Sequence, residues 1–241
     1  LGDKNVGQKN LSIEIKVLKT LATEKAYLEL LPRFEQASGH RVTTRYGGTV
    51  DVRNWLNAGE PFDLAIAASS VIDAFTASGA IVPGSRVDVA ASGVGVAVRK
   101  GAVKPDISTP EAFKSALLAA KSVGYSTGPS GEYFLRLLDR TGLSDRVRSK
   151  LRQIPAGGFV GTLVANGDAD IGVQQVSELA TFAGVDYIGP LPGDLQMTTI
   201  FAGGISTTAQ QPEAARELVQ FLAAPEAAST FRKFGLEPAR R

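Results

Sequence analysis

The chain has 241 residues, 44% of them hydrophobic and 21% charged, a composition that supports one large domain or two modest lobes and argues against disorder. Lys and Arg number 26 against 24 Asp and Glu, a formal net charge of +2, too balanced for a nucleic-acid binder that depends on a concentrated basic face. There is no cysteine and one histidine, His40, which excludes thiol catalysis, disulfides, iron–sulfur clusters, cysteine zinc sites and multi-histidine centres; no metal and no cofactor is expected.

Leu1–Ser12 is polar and reads as a frayed lead-in. Ile13–Leu18 then alternates apolar and polar residues as a strand does. Ala22–Gln36 places Ala22, Ala26, Leu30 and Phe34 on one helical face, and Gly39 is the stop. Arg41–Tyr46 is a β-branched strand ended by Gly47-Gly48-Thr49, and Asp51–Ala58 a short helix closed by Gly59. Phe62–Ala67 is an apolar run around Asp63, the mark of a strand buried on both faces, and Ser69-Ser70 caps a helix over Val71–Ser78. Three strand–loop–helix units in succession predict an α/β fold built on a doubly wound, mainly parallel sheet with helices on both faces.

The same style continues with strands over Gly93–Arg99, Ser122–Tyr125, Ala169–Val173 and Thr198–Ala202. Helices open at Ser108–Glu111, Gly128–Gly131 and Gly157-Gly158, and Pro212–Ala223 with Glu226–Phe234 form a closing helical pair. The longest apolar stretches, such as Ala65–Ala68 and Leu117–Ala120, fall far short of the roughly 18 residues a membrane span needs, so no membrane insertion is expected.

In such sheets ligands bind beyond the carboxyl ends of the strands. The loops there carry Lys19-Thr20, Gly48-Thr49, Ala68-Ser69-Ser70, Ser126–Gly131 with Ser130 inside it, and Gln174-Gln175. Any one of these hydroxyls is an ordinary helix cap. Together they bring free N–H groups, hydroxyls and helix dipoles to one place, which suits a small anion. Lys19 is the unusual charge, a lysine at a strand's end that could pair with a ligand carboxylate or serve as a base. No dinucleotide fingerprint or phosphate-binding Gly-Lys-Ser/Thr loop is present. His40 reads as an exposed loop residue, Asp168 and Asp170 as a solvated turn, Trp55 as packing and Arg240-Arg241 as a tail.

The order of Val17-Leu18, Tyr46–Thr49, Leu56–Asp63, Ala67–Ser69, Gly128–Tyr133, Gly167–Gly172 and Glu213–Leu222 resembles the type 2 periplasmic solute-binding proteins, specifically the molybdate-binding-like branch, over residues 13–238. The resemblance implies two lobes, residues 1–88 with 203–241 and residues 89–202, joined by two crossing strands near Val87–Val94 and Met197–Ile205 and closing on ligand. It implies ligand contacts near Thr20, at Thr49, around Ala68-Ser69, at Ser130-Gly131 and near Phe159-Val160. Three departures favour a carboxylate-bearing ligand over molybdate itself: Gln175 where the branch usually has tyrosine, Lys19 for a small residue, and Ser130 for alanine. Lys19 would supply charge, and Gln174 and Gln175 amide hydrogen bonds.

The first functional reading is therefore capture of a small anion, an oxyanion such as molybdate or an organic carboxylate, for an ABC-type permease. A periplasmic monomer is expected, its export segment removed, since the chain starts at Leu1 rather than Met. The second reading is enzymatic. The same branch includes aconitate isomerase, which interconverts trans- and cis-aconitate without a cofactor, and here Lys19, Glu132 or Tyr133 would carry the proton.

Overall fold

A computed structural model describes residues 13–239; the lead-in Leu1–Ser12 and the tail Arg240-Arg241 lie outside the described residues. The first strand, β1 (Glu14–Thr20), buries Ile15 and Val17 between exposed Glu14 and Lys16, then runs fully into the interior from Val17 to Thr20. A 3-10 turn at Leu21–Thr23 delays helix α1 (Glu24–Ser38), which buries Ala26, Tyr27, Leu30 and Phe34 and ends at Gly39 with φ 74°. Next come β2 (Arg41–Gly47), α2 (Thr49–Asn57), β3 (Leu64–Ala68) and α3 (Ser69–Ala77). Both β2 and β3 pair with β1 in parallel, the arrangement that strand–helix–strand connections enforce.

Strand β4 (Val87–Arg99) begins six residues before the expected Gly93. It is followed by α4 (Pro110–Ala119), β5 (Val123–Tyr125), α5 (Pro129–Arg140), α6 (Ser144–Val147) and β6 (Leu151–Gln153). Then come α7 (Val160–Asn166), β7 (Ile171–Gln175), α8 (Val176–Leu179), β8 (Val185–Pro190) and β9 (Thr198–Ile205). The chain closes with α9 (Pro212–Leu222), α10 (Ala228–Lys233) and β10 (Glu237–Pro238).

Pairing runs β2-β1-β3-β9-β4-β7-β5-β6. Parallel strands form both flanks, β2-β1-β3 on one side and β7-β5-β6 on the other. The join is antiparallel: β9 pairs with β3 and with the first half of β4, whose second half pairs with β7 and β8. Of the buried apolar clusters among the described residues, the two largest lie one in each half. One gathers Ile15, Leu30, Phe34, Leu218 and Phe231; the other gathers Val96, Phe113, Phe134, Leu138 and Val173. The fold is two-lobed α/β, with β4 belonging to both halves.

Asp63, at the entrance to β3, is 3% exposed and fully used. Its Oδ2 accepts from the Lys16 N–H at 2.8 Å, and its Oδ1 from the Gln210 and Gln211 N–H groups at 2.7 and 2.9 Å. One carboxylate thus ties β1 to the segment that opens α9. Among the described residues no helix is long and apolar enough to cross a membrane.

Candidate ligand cleft

The turn after β1, the starts of α2 and α5, and the end of β7 meet around a cavity of about 30 Å³. Thr20, Leu21, Ala22, Gly48 and Thr49 line one side; Ser126–Ser130, Gly157, Gly158, Gln174, Gln175 and Glu178 line the other, with Phe201. The two sides touch. A Cβ on Gly48 would lie 2.7 Å from the Gly157 backbone nitrogen, so only glycine permits this approach.

Among the described lining residues there is no Lys or Arg, so attraction for an anion comes from the backbone and hydroxyls. Helices α2 and α5 both begin behind a glycine N-cap, Gly48 and Gly128, where no side-chain oxygen is available to occupy the first-turn N–H groups. Asp51 accepts from the Gly48 N–H at 2.8 Å and steadies the α2 entrance. Both helix starts therefore present donors and the positive ends of their dipoles to the cavity. Ser126 and Ser130 are linked Oγ to Oγ at 3.2 Å, and the Gly128 N–H donates to Ser126 Oγ at 3.4 Å.

Of the residues singled out in the sequence, Thr20, Gly48, Thr49, Ser126, Ser130, Gln174 and Gln175 line this one cavity. Gly131, Val160, Ser69, Ser70 and Lys19 are not among its lining residues. Gly131 sits behind the wall, where a Cβ would fall 1.7 Å from the Ser126 carbonyl oxygen; its part is to let α5 lie against the Ser126 loop. Ser69 and Ser70 open α3 at a separate cavity of about 250 Å³ shared with Arg53, Glu132 and Arg136.

The glutamine amides are already engaged. Gln174 Oε1 accepts from the Val160 N–H at 2.8 Å, which removes that N–H from ligand binding and turns the Gln174 amide nitrogen away from Val160. Gln175 is 2% exposed. Oriented to suit its neighbours, its amide donates to the Ser92 and Gly93 carbonyls at 3.1 and 3.2 Å and accepts from Thr199 Oγ1 at 2.9 Å. It therefore bolts the end of β7 to both crossing strands, β4 and β9. The Gln175 amide is thus engaged within the protein, and the Gln174 amide through its oxygen.

Lys19 also turns inward, because neighbouring residues of a strand face opposite sides and Thr20 takes the cavity side. It is fully buried, with Nζ donating to the Thr20 carbonyl at 2.8 Å and to Thr23 Oγ1 at 2.7 Å, and lies 5.0 Å over the Tyr27 ring. Burial pushes its amine down to about 7, against the pull of the Glu24 and Glu178 charges. The other proposed proton carriers are also elsewhere. Glu132 faces Arg53 at 3.7 Å, and the Tyr133 hydroxyl donates to the Leu195 carbonyl at 2.9 Å.

Sequence reasoning passed over Glu178, which lines the cavity from α8. Burial pushes its carboxyl up to about 8; the Gln174 hydrogen bond and the Lys19 charge pull the other way, and Glu24 adds to the rise. Its one sequence signal was position, three residues past the end of a strand whose loop already belonged to the site. The remaining candidates stay apart from the cleft. His40 is partly buried rather than exposed, beside Phe34 and 3.5 Å from Glu217, and Trp55 stacks under the Arg45 guanidinium at 4.0 Å. Asp170 accepts from the Lys121 N–H at 2.7 Å.

A family model described as "Bacterial extracellular solute-binding protein" matches residues 15–237. The chain belongs to this family. Within reach of sequence comparison, it is 40% identical over 216 residues to an aconitate isomerase from Pseudomonas sp., spanning 87% of this chain and 82% of that one. It is 26% identical over 214 residues to the molybdate-binding protein ModA of Azotobacter vinelandii, spanning 86% and 83%. The solved periplasmic molybdate-binding protein of Azotobacter vinelandii superposes with a TM-score of 0.79 at 18% identity, covering 94% of this chain and all of that one, a likeness of fold. The family expectation and the two-lobed fold hold.

Proposed function

We propose that the cleft takes a small organic polycarboxylate and isomerises it by a 1,3-proton shift, with trans- and cis-aconitate as the pair; the relative at 40% identity is named an aconitate isomerase. The observation that carries this reading is the wall of the cavity. It combines an anion-attracting cup of helix starts and hydroxyls with one partly buried carboxyl, Glu178. Simple capture of an oxyanion does not require a carboxyl in the wall, which repels the ligand whenever it is ionised. A proton transfer at carbon requires a group of that kind, together with donors that stabilise the charge developing on the substrate carboxylate.

Closure of the lobes, taken as residues 1–88 with 203–241 against 89–202, would exclude water during the transfer. The division of β4 between the two halves supports a hinge at the crossing strands. A second reading, delivery of a small anion to an ABC permease by a periplasmic monomer, is favoured by the family itself and by the absence of cationic residues from the described cavity wall.

A thermal-shift panel of molybdate, tungstate, sulfate, phosphate, citrate, cis-aconitate and trans-aconitate separates the two, because a ligand that binds only the folded state raises Tm by mass action. At a hundred times Kd the stabilisation is about 2.7 kcal/mol, a rise of roughly 5–10 °C for a chain of this size. The aconitates are expected to produce it and the tetrahedral oxyanions to leave Tm unchanged. A shift confined to the oxyanions overturns the enzymatic reading in favour of capture.

A further inference from the structure

A 1,3-proton shift needs a group that accepts a proton from one carbon and returns it to another, and the cleft offers a short choice. Its described lining residues are aliphatic, aromatic, hydroxyl or amide residues and glycines, with one exception. Lys19 faces the α1 side and holds the Thr20 carbonyl and Thr23, Glu132 faces Arg53 outside the cavity, and Tyr133 is bonded to the Leu195 carbonyl. The structure assigns the proton transfer to Glu178, the titratable residue among the described residues of the cavity wall. The assignment rests on the isomerase reading above and names the residue that performs it.

Glu178 lies just beyond Gln174, in α8. The Val160 N–H fixes Gln174 Oε1 at 2.8 Å and so turns the Gln174 amide nitrogen away from Val160. Lys19 from β1 and Glu24 and Lys25 from α1 are the charged groups around the Glu178 carboxyl, the last with Nζ held by Thr181. Burial raises the carboxyl toward neutrality, which makes it a stronger base when ionised and a proton donor when not.

The step balances without a cofactor. One Glu178 oxygen takes a proton from the methylene carbon of trans-aconitate, and the C–H electron pair forms the new double bond to the central carbon. The old double-bond pair moves to the former vinyl carbon, which takes a proton from Glu178, whose carboxyl proton exchanges with solvent, to become the new methylene. The negative charge that builds on the flanking carboxylate is met by the N–H groups at the starts of α2 and α5.

The test uses the whole chain with trans-aconitate as the probe, measured by proton NMR in D₂O and by thermal shift. Glu178→Gln keeps the shape and the neutral form that burial favours, so folding is retained. It is expected to lose a hundredfold or more in kcat and to stop deuterium entering the methylene position, while the aconitate-induced shift in Tm stays within a factor of two. Glu178→Ala is expected to be equally inactive and to regain at least tenfold on addition of formate, which replaces the missing carboxylate. A Glu178→Gln variant that keeps more than a hundredth of wild-type turnover, or one that loses the thermal shift along with turnover, overturns the assignment. If the wild type itself fails to convert trans-aconitate, the isomerase reading is what falls, and the assignment goes with it.

Discussion

Gly131→Ala is expected to disable the cleft more completely than removal of any single hydroxyl. Alanine is the better helix former by about 1 kcal/mol, so propensity alone favours the change. Sterics decide otherwise: the new Cβ would sit 1.7 Å from the Ser126 carbonyl oxygen and 2.6 Å from its carbon. The obstacle is backbone, which no rotamer change can clear. Either α5 withdraws or the Ser126 loop does, and both displace Ser126, Ser130 and the donors at the start of α5 from their common cavity. Overpacking of this kind costs about 3 kcal/mol, or roughly 6–12 °C in Tm for a chain of this length. Differential scanning fluorimetry should show that loss together with disappearance of the aconitate-induced shift. An unchanged Tm with the shift intact would mean that α5 does not rest on the Ser126 loop.

Asp63→Ala is expected to produce the largest loss of stability in the first lobe. The side chain accepts three backbone hydrogen bonds, from Lys16, Gln210 and Gln211, and is 3% exposed. Truncation orphans three N–H groups in a place that water reaches poorly, at about 1–3 kcal/mol each before relaxation. A total of about 4 kcal/mol is expected in urea denaturation, with the m-value unchanged. Asp63→Asn should recover part of it: one oxygen still serves Gln210 and Gln211, but the amide nitrogen meets the Lys16 N–H donor to donor. A loss below about 1 kcal/mol for the alanine variant would show that the tie between β1 and the α9 entrance is dispensable.

The fold was legible wherever burial leaves a periodic trace. The face Ala22, Ala26, Leu30 and Phe34 is buried as expected, and the apolar run before Ser69 is the central strand β3. The elements that left no trace are short: α6 and α8 have four residues each, β6 three and β10 two, too few to display a period. β8 pairs through its backbone with β4 while its side chains stay half-buried, so neither alternation nor an apolar run marks it.

Legibility at the cleft followed the same division. Thr20, Gly48, Thr49, Ser126 and Ser130 could be placed together because topology sends all strand ends of one kind to one side of a sheet. The direction of Lys19 is a matter of strand parity, and parity alone sets it opposite Thr20. The employment of Gln174 and Gln175 depends on Val160, Ser92, Gly93 and Thr199, partners that no local pattern joins to them. Glu178 is distinguished from other surface glutamates by its place on the cavity wall, which the four residues of α8 do not announce.

The most direct test of the account is a proton NMR time course of trans-aconitate with catalytic amounts of the wild-type chain, in the absence of added metal or cofactor. Conversion to cis-aconitate is expected until the two isomers reach a fixed ratio, the same ratio reached from the cis side, with solvent deuterium entering the methylene group when the reaction runs in D₂O. Trans-aconitate that raises Tm yet persists unchanged would contradict the account and leave a binding protein for carboxylates in its place.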